Sequence, residues 1–208
     1  MKPLVDIHLV SSNIQARAIE SLIPLHQAAF PDFFLTSLGP AFLRLLYDGF
    51  MMHPQGICLV AEDQGNVVGF AAGTINPDGF FSSLLRRQAL RFACSAIPGL
   101  LRNPLFVTRK CLGALFYRGE TPGGIPDAAL LSSLAVSSAI QSKGVGQALV
   151  RAFAEEVRRR GGKAIYLTTD ESENEKANRF YAKCGFELLD TFKRPGNRVM
   201  NRWIMRLG

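Results

Sequence analysis

The sequence is short of the features that would place it in several large classes of protein. Its four cysteines, Cys58, Cys94, Cys111 and Cys184, form no C-x-x-C pair, and no histidine lies at ligand spacing from any of them. That argues against a structural zinc site and a disulfide-stapled miniprotein, and favours reduced thiols in a cytosol. No metal is expected. No stretch reaches the roughly 18 uninterrupted apolar residues that a membrane-spanning helix needs. Asp6 and His8 fall inside what would have to be the apolar core of a secretion signal, so a cytoplasmic location is expected, without stable membrane insertion. There is no RRM-type module, helix-turn-helix pattern or zinc finger, and nucleic acid is not an expected partner. Internal repeats and linkers poor in apolar residues are also missing.

The most informative shortage is of acids. Between Phe80 and Arg118 stand Arg86, Arg87, Arg91, Arg102, Arg109, Lys110 and Arg118, with no Asp or Glu among them. These seven are the whole excess of 24 basic over 17 acidic residues. A second acid-free stretch, Thr191 to Gly208, holds Lys193, Arg194, Arg198, Arg202 and Arg206. Such clusters attract phosphates, nucleic acid or anionic lipid, or serve only as a solvated face.

What is present is the composition of a globular protein: 208 residues, 48% hydrophobic and 20% charged, with 15 Phe to fill a core. One domain over 1–208 is expected, with 76–127 a basic helical insert. Leu4 to Val10 reads as a strand, followed by helices over Gln15 to Phe30 and Gly39 to Met52. Ile57 to Glu62 and Val67 to Ile75 read as strands joined through Asp63-Gln64-Gly65-Asn66, a turn-rich connection. The basic segment is helical in parts, with breaks expected at Pro98-Gly99 and Pro104. Ala128 to Val136 is nearly all apolar and small, as a buried central strand would be. Val145, Ala148, Leu149, Ala152, Phe153 and Val157 mark one face of a long helix, with Arg151, Glu155, Arg158 and Arg159 outside. A strand over Ala164 to Thr169, a short helix over Asn174 to Cys184 and a closing pair, Phe186 to Phe192 and Val199 to Met205, complete the pattern. That order predicts an α/β protein with a mixed sheet and helices on both faces.

The chemistry concentrates in Leu134 to Gly146, a buried strand running through a short loop into a helix. Glycines at a helix head leave first-turn N–H groups uncovered, and those donors with the helix dipole make an anion site. Gly144 and Gly146 let a bulky diphosphate approach the backbone. The loop is not a Walker motif, since Lys143 precedes Gly144 instead of following it. Nor is it a dinucleotide fingerprint, because Leu149 stands where a third small residue is needed.

Downstream, Asn174-x-x-Ala177-x-x-Phe180-Tyr181-x-Lys183-x-Gly185-Phe186 follows the next strand. Together the two segments resemble the GNAT-type N-acetyltransferase superfamily. Val136, Gln141, Gly144 and Gly146 fit its acyl-CoA loop, V-x-x-x-x-[QR]-x-x-G-x-[GA]. The second segment fits N-x-x-A-x-x-[FL]-Y-x-x-x-G-F at every fixed position, and Ser142 departs from the glycine often found there. The resemblance is strong from about Leu130 to Phe186. It implies a mostly antiparallel central sheet, in which the basic segment is a helical insert between the third and fourth strands.

The resemblance also implies acetyl-CoA as co-substrate, a primary amine as acceptor and direct attack without an acyl-enzyme. On that basis the backbone of Leu134, Ala135 and Val136 pairs with the pantetheine arm. Gln141, Ser142, Lys143, Gly144, Val145 and Gly146 hold the pyrophosphate. Asn174 contacts the arm or caps its own helix, Ala177 leaves room for the cofactor, and Tyr181 protonates the departing thiolate. Tyr181 also fits a core stripe with Ala177, Phe180 and Cys184. The general base stays open among Glu62, Asp170, Glu171, His26, His53 and a water chain. Cys184 has no partner histidine in the motif. Seven positive charges favour an acceptor bearing phosphate or carboxylate beside its amine, such as a nucleotide-linked amino sugar. Two other readings remain: a non-catalytic acyl-CoA-binding module, and a membrane-peripheral protein laying Phe80 to Phe116 on anionic lipid, with Phe81, Leu85, Ala89 and Phe92 as one stripe. The apolar insert leaves a homodimer open.

Overall fold

The computed structural model describes residues 5–10, 14–102, 128–141, 143–194 and 198–208. Arg109, Lys110, Arg118, Pro104, Cys111 and Ser142, all singled out above, lie outside the described residues, as does the side chain of Leu85. Seven strands form one sheet: β1 (Asp6–Leu9), β2 (Gly56–Asp63), β3 (Asn66–Thr74), β4 (Ala128–Val136), β5 (Ala164–Asp170), β6 (Glu187–Arg194) and β7 (Arg198–Arg206). Their order is β1-β2-β3-β4-β5-β7-β6. Every neighbouring pair is antiparallel except β4 and β5, which run parallel. The β2–β3 connection turns where Gln64 (φ 50°) and Gly65 (φ 80°) both take positive φ, the requirement of a tight hairpin with twisted strands.

The strands alternate their side chains between two helical layers. Cys58, Val60, Phe70 and Ala72 pack with α1 (Gln15–Ala29), α3 (Pro40–Met52) and α4 (Pro77–Arg102). Ile57, Leu59, Ala61 and Ala71 pack on the other face with α5 (Val145–Arg159). A short turn of helix, α2 (Phe34–Ser37), joins α1 to α3, and α6 (Glu175–Lys183) follows β5. The inner face of α5 carries Val145, Leu149, Val150, Phe153, Ala154 and Val157. It also buries Glu156, a charged residue that the apolar pattern did not single out. Arg159 and Arg160 hold that carboxylate, and Arg160 donates on to the Pro54 and Gly56 carbonyls, fastening the helix to the start of β2.

One expected helix break is absent. α4 runs through Pro98 to Arg102 and leaves helical conformation instead at Gln88 (φ −132°, ψ 20°). A proline removes only its own amide from the ladder, so a helix can pass through one at a cost and need not end there.

The feature that positions the site is a β-bulge. β3 pairs with β4 as Ala72↔Ser133 and then Gly73↔Leu131, so Ser132 is an extra residue on β4. Pairing between β4 and β5 is confined to Ala128–Leu130 against Ala164–Tyr166 and stops beside that bulge. A bulge bends its strand and increases local twist. Here β4 continues with β3 alone while β5 continues with β7, and the sheet opens between them. The bulge also switches the alternation of β4. Ala129 and Leu131 join one core before it, and Leu134 and Val136 face the same core after it.

Candidate active site

The opening between β4 and β5 is the natural place to search for chemistry, because the backbone of β4 beyond Leu130 has no β5 partner. The chain then turns at Ser137, whose amide donates to Val68 O (2.8 Å), and makes a single 3-10 turn over Ser138–Ile140. Gln141 ties this loop in two directions. Its Nε2 donates to Val136 O (3.3 Å), and its Oε1 accepts from Lys176 Nζ on α6 (3.4 Å). Lys143 is exposed.

Gly144 precedes α5 in the left-handed conformation (φ 80°, ψ 0°), and a Cβ there would meet nothing within 4 Å. Space therefore does not dictate glycine at this position; backbone geometry does. The first intrahelical bond of α5 runs from the Ala148 amide to Gly144 O, so the amides of Val145, Gly146 and Gln147 precede the ladder. The Val145 side chain is buried in the core, leaving its backbone as the part that can serve a ligand. Gly146 is a contact glycine: a Cβ would stand 3.1 Å from the Phe180 ring and 3.8 Å from Val136 Cγ2.

That contact joins the loop to α6. Phe180 and Tyr181 of α6, with Cys184 just past its end, pack on the same core as Leu134, Val136 and Ile140. The Tyr181 ring meets Phe180 at 5.2 Å and Phe186 at 5.7 Å, both edge-on. Burial, with the Cys184 thiol beside it, pushes the Tyr181 hydroxyl above its ordinary pKa of 10, so it stays protonated at neutral pH. Burial also raises the Cys184 thiol, offset only partly by Arg151, which keeps it from being a thiolate nucleophile. Asn174 occupies the N-cap position of α6 without a side-chain capping bond, and Ala177 is half-buried. Ala135 is buried against the opposite helical layer, so only its backbone borders the opening.

The candidates for a general base do not gather here. His26 is fully buried with Tyr47, sharing a 2.6 Å hydrogen bond through Nδ1, and burial lowers its pKa to about 4. It is a neutral core residue. His53 ends α3, accepts from the Gln55 amide and pairs with the Ser83 hydroxyl. Glu62 is bound to Arg17 at 2.7 Å at the far end of β2. Asp170 ends β5 at the opening, but Arg198 of β7 clasps both its oxygens. Glu171 is exposed, its amide donating to Val199 O. Among the described residues no group of three or more His, Cys, Asp or Glu could hold a metal, and no helix is long and apolar enough to cross a membrane.

Asn178 was not anticipated. Its Oδ1 accepts from the Thr169 hydroxyl (2.6 Å) and its Nδ2 donates to Asp170 O (3.2 Å), while Trp203 Nε1 donates to Thr169 Oγ1 (2.9 Å). These bonds stitch α6 to β5 and β7 one turn before Tyr181. Asn178 is an x position in the helix motif, so only its polar character on the inner side of a short helix could have marked it.

A strand pair that parts beside a helix start leaves a free strand edge next to uncommitted amides, an opening that can admit a long, phosphate-bearing arm. Residues 105–186 match the model of the Acetyltransferase (GNAT) family. No curated protein matches the sequence. Among solved structures, a ribosomal-protein-alanine N-acetyltransferase from Brucella melitensis is 16% identical, with 97% of this chain and 99% of that one covered at a TM-score of 0.62. An N-acetyltransferase from Staphylococcus aureus Mu50 is 13% identical, covering 98% and 99% at 0.62. An aminoglycoside 6'-N-acetyltransferase complexed with coenzyme A is 18% identical, covering 97% and 96% at 0.60. At these identities the likeness is one of fold.

Proposed function

We propose that the chain acetylates the primary amine of a small anionic acceptor, with the pantetheine arm of acetyl-CoA lying along the free edge of β4. The observation that carries this reading is the parting of β4 from β5 after Leu130 and Tyr166, with the α5 amides at one end and Tyr181 beside it. In the reaction the neutral amine attacks the thioester carbonyl, a C–N bond forms and the C–S bond breaks. Tyr181 gives its proton to the leaving sulfur, and the nitrogen loses its proton to water. Backbone groups of Leu134, Ala135 and Val136 align the arm. The amides of Val145 and Gly146, aided by Gln141, Ser142 and Lys143, receive the pyrophosphate. Asn174, whose side chain makes no capping bond, bonds the arm in this reading, and half-buried Ala177 leaves it room.

A preference for an anionic acceptor is supported by the charge of +7 and by Arg86, Arg87 and Arg91 of α4, none of which pairs with a carboxylate among the described residues. The test is steady-state thiol release with a panel of amines: amino sugars free and nucleotide-linked, polyamines, aminoglycosides and peptides. The reading expects turnover, highest with the anionic members. Best turnover with a polycation removes the acceptor class, and CoA binding without turnover on any amine removes catalysis.

A further inference from the structure

A cavity of about 250 Å³ lies between the first turn of α1, the last turn of α3 and the middle of α4. Its lining includes Gln15, Asp48, His53, Arg87, Gln88 and Arg91, and none of it comes from β4, β5, α5 or α6. It is therefore separate from the opening described above.

The electrostatics of this cavity are unbalanced. Arg87 and Arg91, both exposed, line it from the two sides of the break in α4, two like charges on one wall. A structural arginine pair would be expected to take the nearest carboxylate. Asp48 is the one carboxylate on the wall, yet its Oδ1 accepts from Gln15 Nε2 at 2.8 Å and neither arginine bonds it. The Gln55 amide donates to His53 Nδ1, which puts the ring proton on Nε2 beside Ser83. Burial and then the charge of Arg87 lower the pKa of that ring, so the positive field reaches across the cavity. The break of α4 at Gln88 falls between the two arginines. The second half of the helix thus begins at the cavity wall, adding the positive end of its dipole.

We propose that this cavity is a second anion site, in which Arg87 and Arg91 together take a phosphate or carboxylate group. Two guanidinium groups present paired donors to such a group, and binding it cancels their mutual repulsion. The anion is either the tail of the acceptor or a free small molecule, and the chemistry of recognition is the same for both.

The test uses inorganic phosphate on the full chain saturated with CoA, so that the α5 amides are already occupied, at constant ionic strength. Failure of CoA to bind at this stage would count against the family reading and not against the cavity. With phosphate at about ten times its dissociation constant, the melting temperature of the CoA-bound protein should rise by about 3 °C. Arg87→Gln with Arg91→Gln should abolish the rise. Arg86→Gln with Arg102→Gln, which removes two cations outside the lining, should keep it. Equal shifts in all three proteins, or no shift in the unaltered one, overturn the proposal. The source of the anion is read from kinetics. If it is the acceptor's own group, phosphate competes with a phosphorylated amine and the Arg87/Arg91 variant raises KM for that amine about tenfold, sparing a neutral one. If it is a free molecule, phosphate changes kcat on the neutral amine and the variant loses that response.

Discussion

Single residues divide into those that tune a proton and those that only look as if they could. Tyr181 is proposed to be of the first kind: its hydroxyl is raised above pKa 10 and its ring is fixed by Phe180 and Phe186. Tyr181→Phe keeps that packing and removes the proton, so kcat should fall about 10²-fold while KM for acetyl-CoA stays nearly constant. A pH profile adds a second check, since any decline in kcat below pH 10 must come from another group; an unchanged kcat would return Tyr181 to a packing role. His26 is of the second kind, and its effect is on stability. Its folded pKa of about 4 lies below the ordinary 6.5, so the unfolded chain binds the proton more readily. The neutral ring therefore contributes fully above pH 6.5, and that contribution is lost as pH falls from 6.5 toward 4, to a total of about 3 kcal/mol. Urea unfolding should show a loss of about 2 kcal/mol between pH 7 and 5. His26→Phe should flatten that dependence. A slope identical in the two proteins would mean that folding does not lower the pKa of His26.

At the scale of elements, two glycines act in opposite ways. Gly73 sits on β3 beside the bulge, where a Cβ would lie 2.0 Å from Leu130 O and 2.7 Å from the Phe153 ring. Neither backbone nor core can yield that much, so Gly73→Ala should cost about 3 kcal/mol in urea unfolding and disturb the parting of β4 from β5. A loss under 1 kcal/mol would show that the bulge is free to relax. Gly144 has open space around it but a φ of 80°, so Gly144→Val strains the loop and covers the amides of α5. Calorimetry should show CoA binding weakened at least about tenfold, or 1.4 kcal/mol, in a folded protein. Unchanged affinity would take the loop out of the binding site. Much of this arrangement was legible in the sequence. Period and turn chemistry located every strand to within a few residues, and the spacing of Gly144 and Gly146 marked the helix start. The bulge at Ser132 was not legible, because register depends on a partner strand distant in sequence and Ser132-Ser133 carries no local signal. The path of α4 through Pro98 was missed for a related reason. Local punctuation says where a helix can stop, and a proline that removes one amide from the ladder permits a stop without requiring one.

For the whole molecule the question is where the excess charge acts. The two acid-free stretches look alike in sequence and differ in the fold. In the C-terminal one, Arg198, Arg202 and Arg206 of β7 pair with Asp170, Asp190 and Glu187 on neighbouring strands, and Arg202 also lies over the Phe192 ring at 4.7 Å. Cross-strand register has neutralised most of that cluster. Arg86, Arg87 and Arg91 of α4 have no such partners among the described residues, so their charge is left uncompensated by neighbouring acids. CoA is a polyanion, and a protein of net charge +7 attracts it before any contact forms. Added salt screens this attraction over about 10 Å at 0.1 M and about 3 Å at 1 M, while the short bonds to the α5 amides persist. Raising KCl from about 0.05 to 0.5 M should therefore weaken CoA binding several-fold, chiefly by slowing association, with kcat at saturation unchanged. Stopped-flow measurement across that range decides the matter. A fall in kcat would place screened charges in the chemical step itself, and an association rate indifferent to salt would confine the influence of the basic face to the α4 cavity.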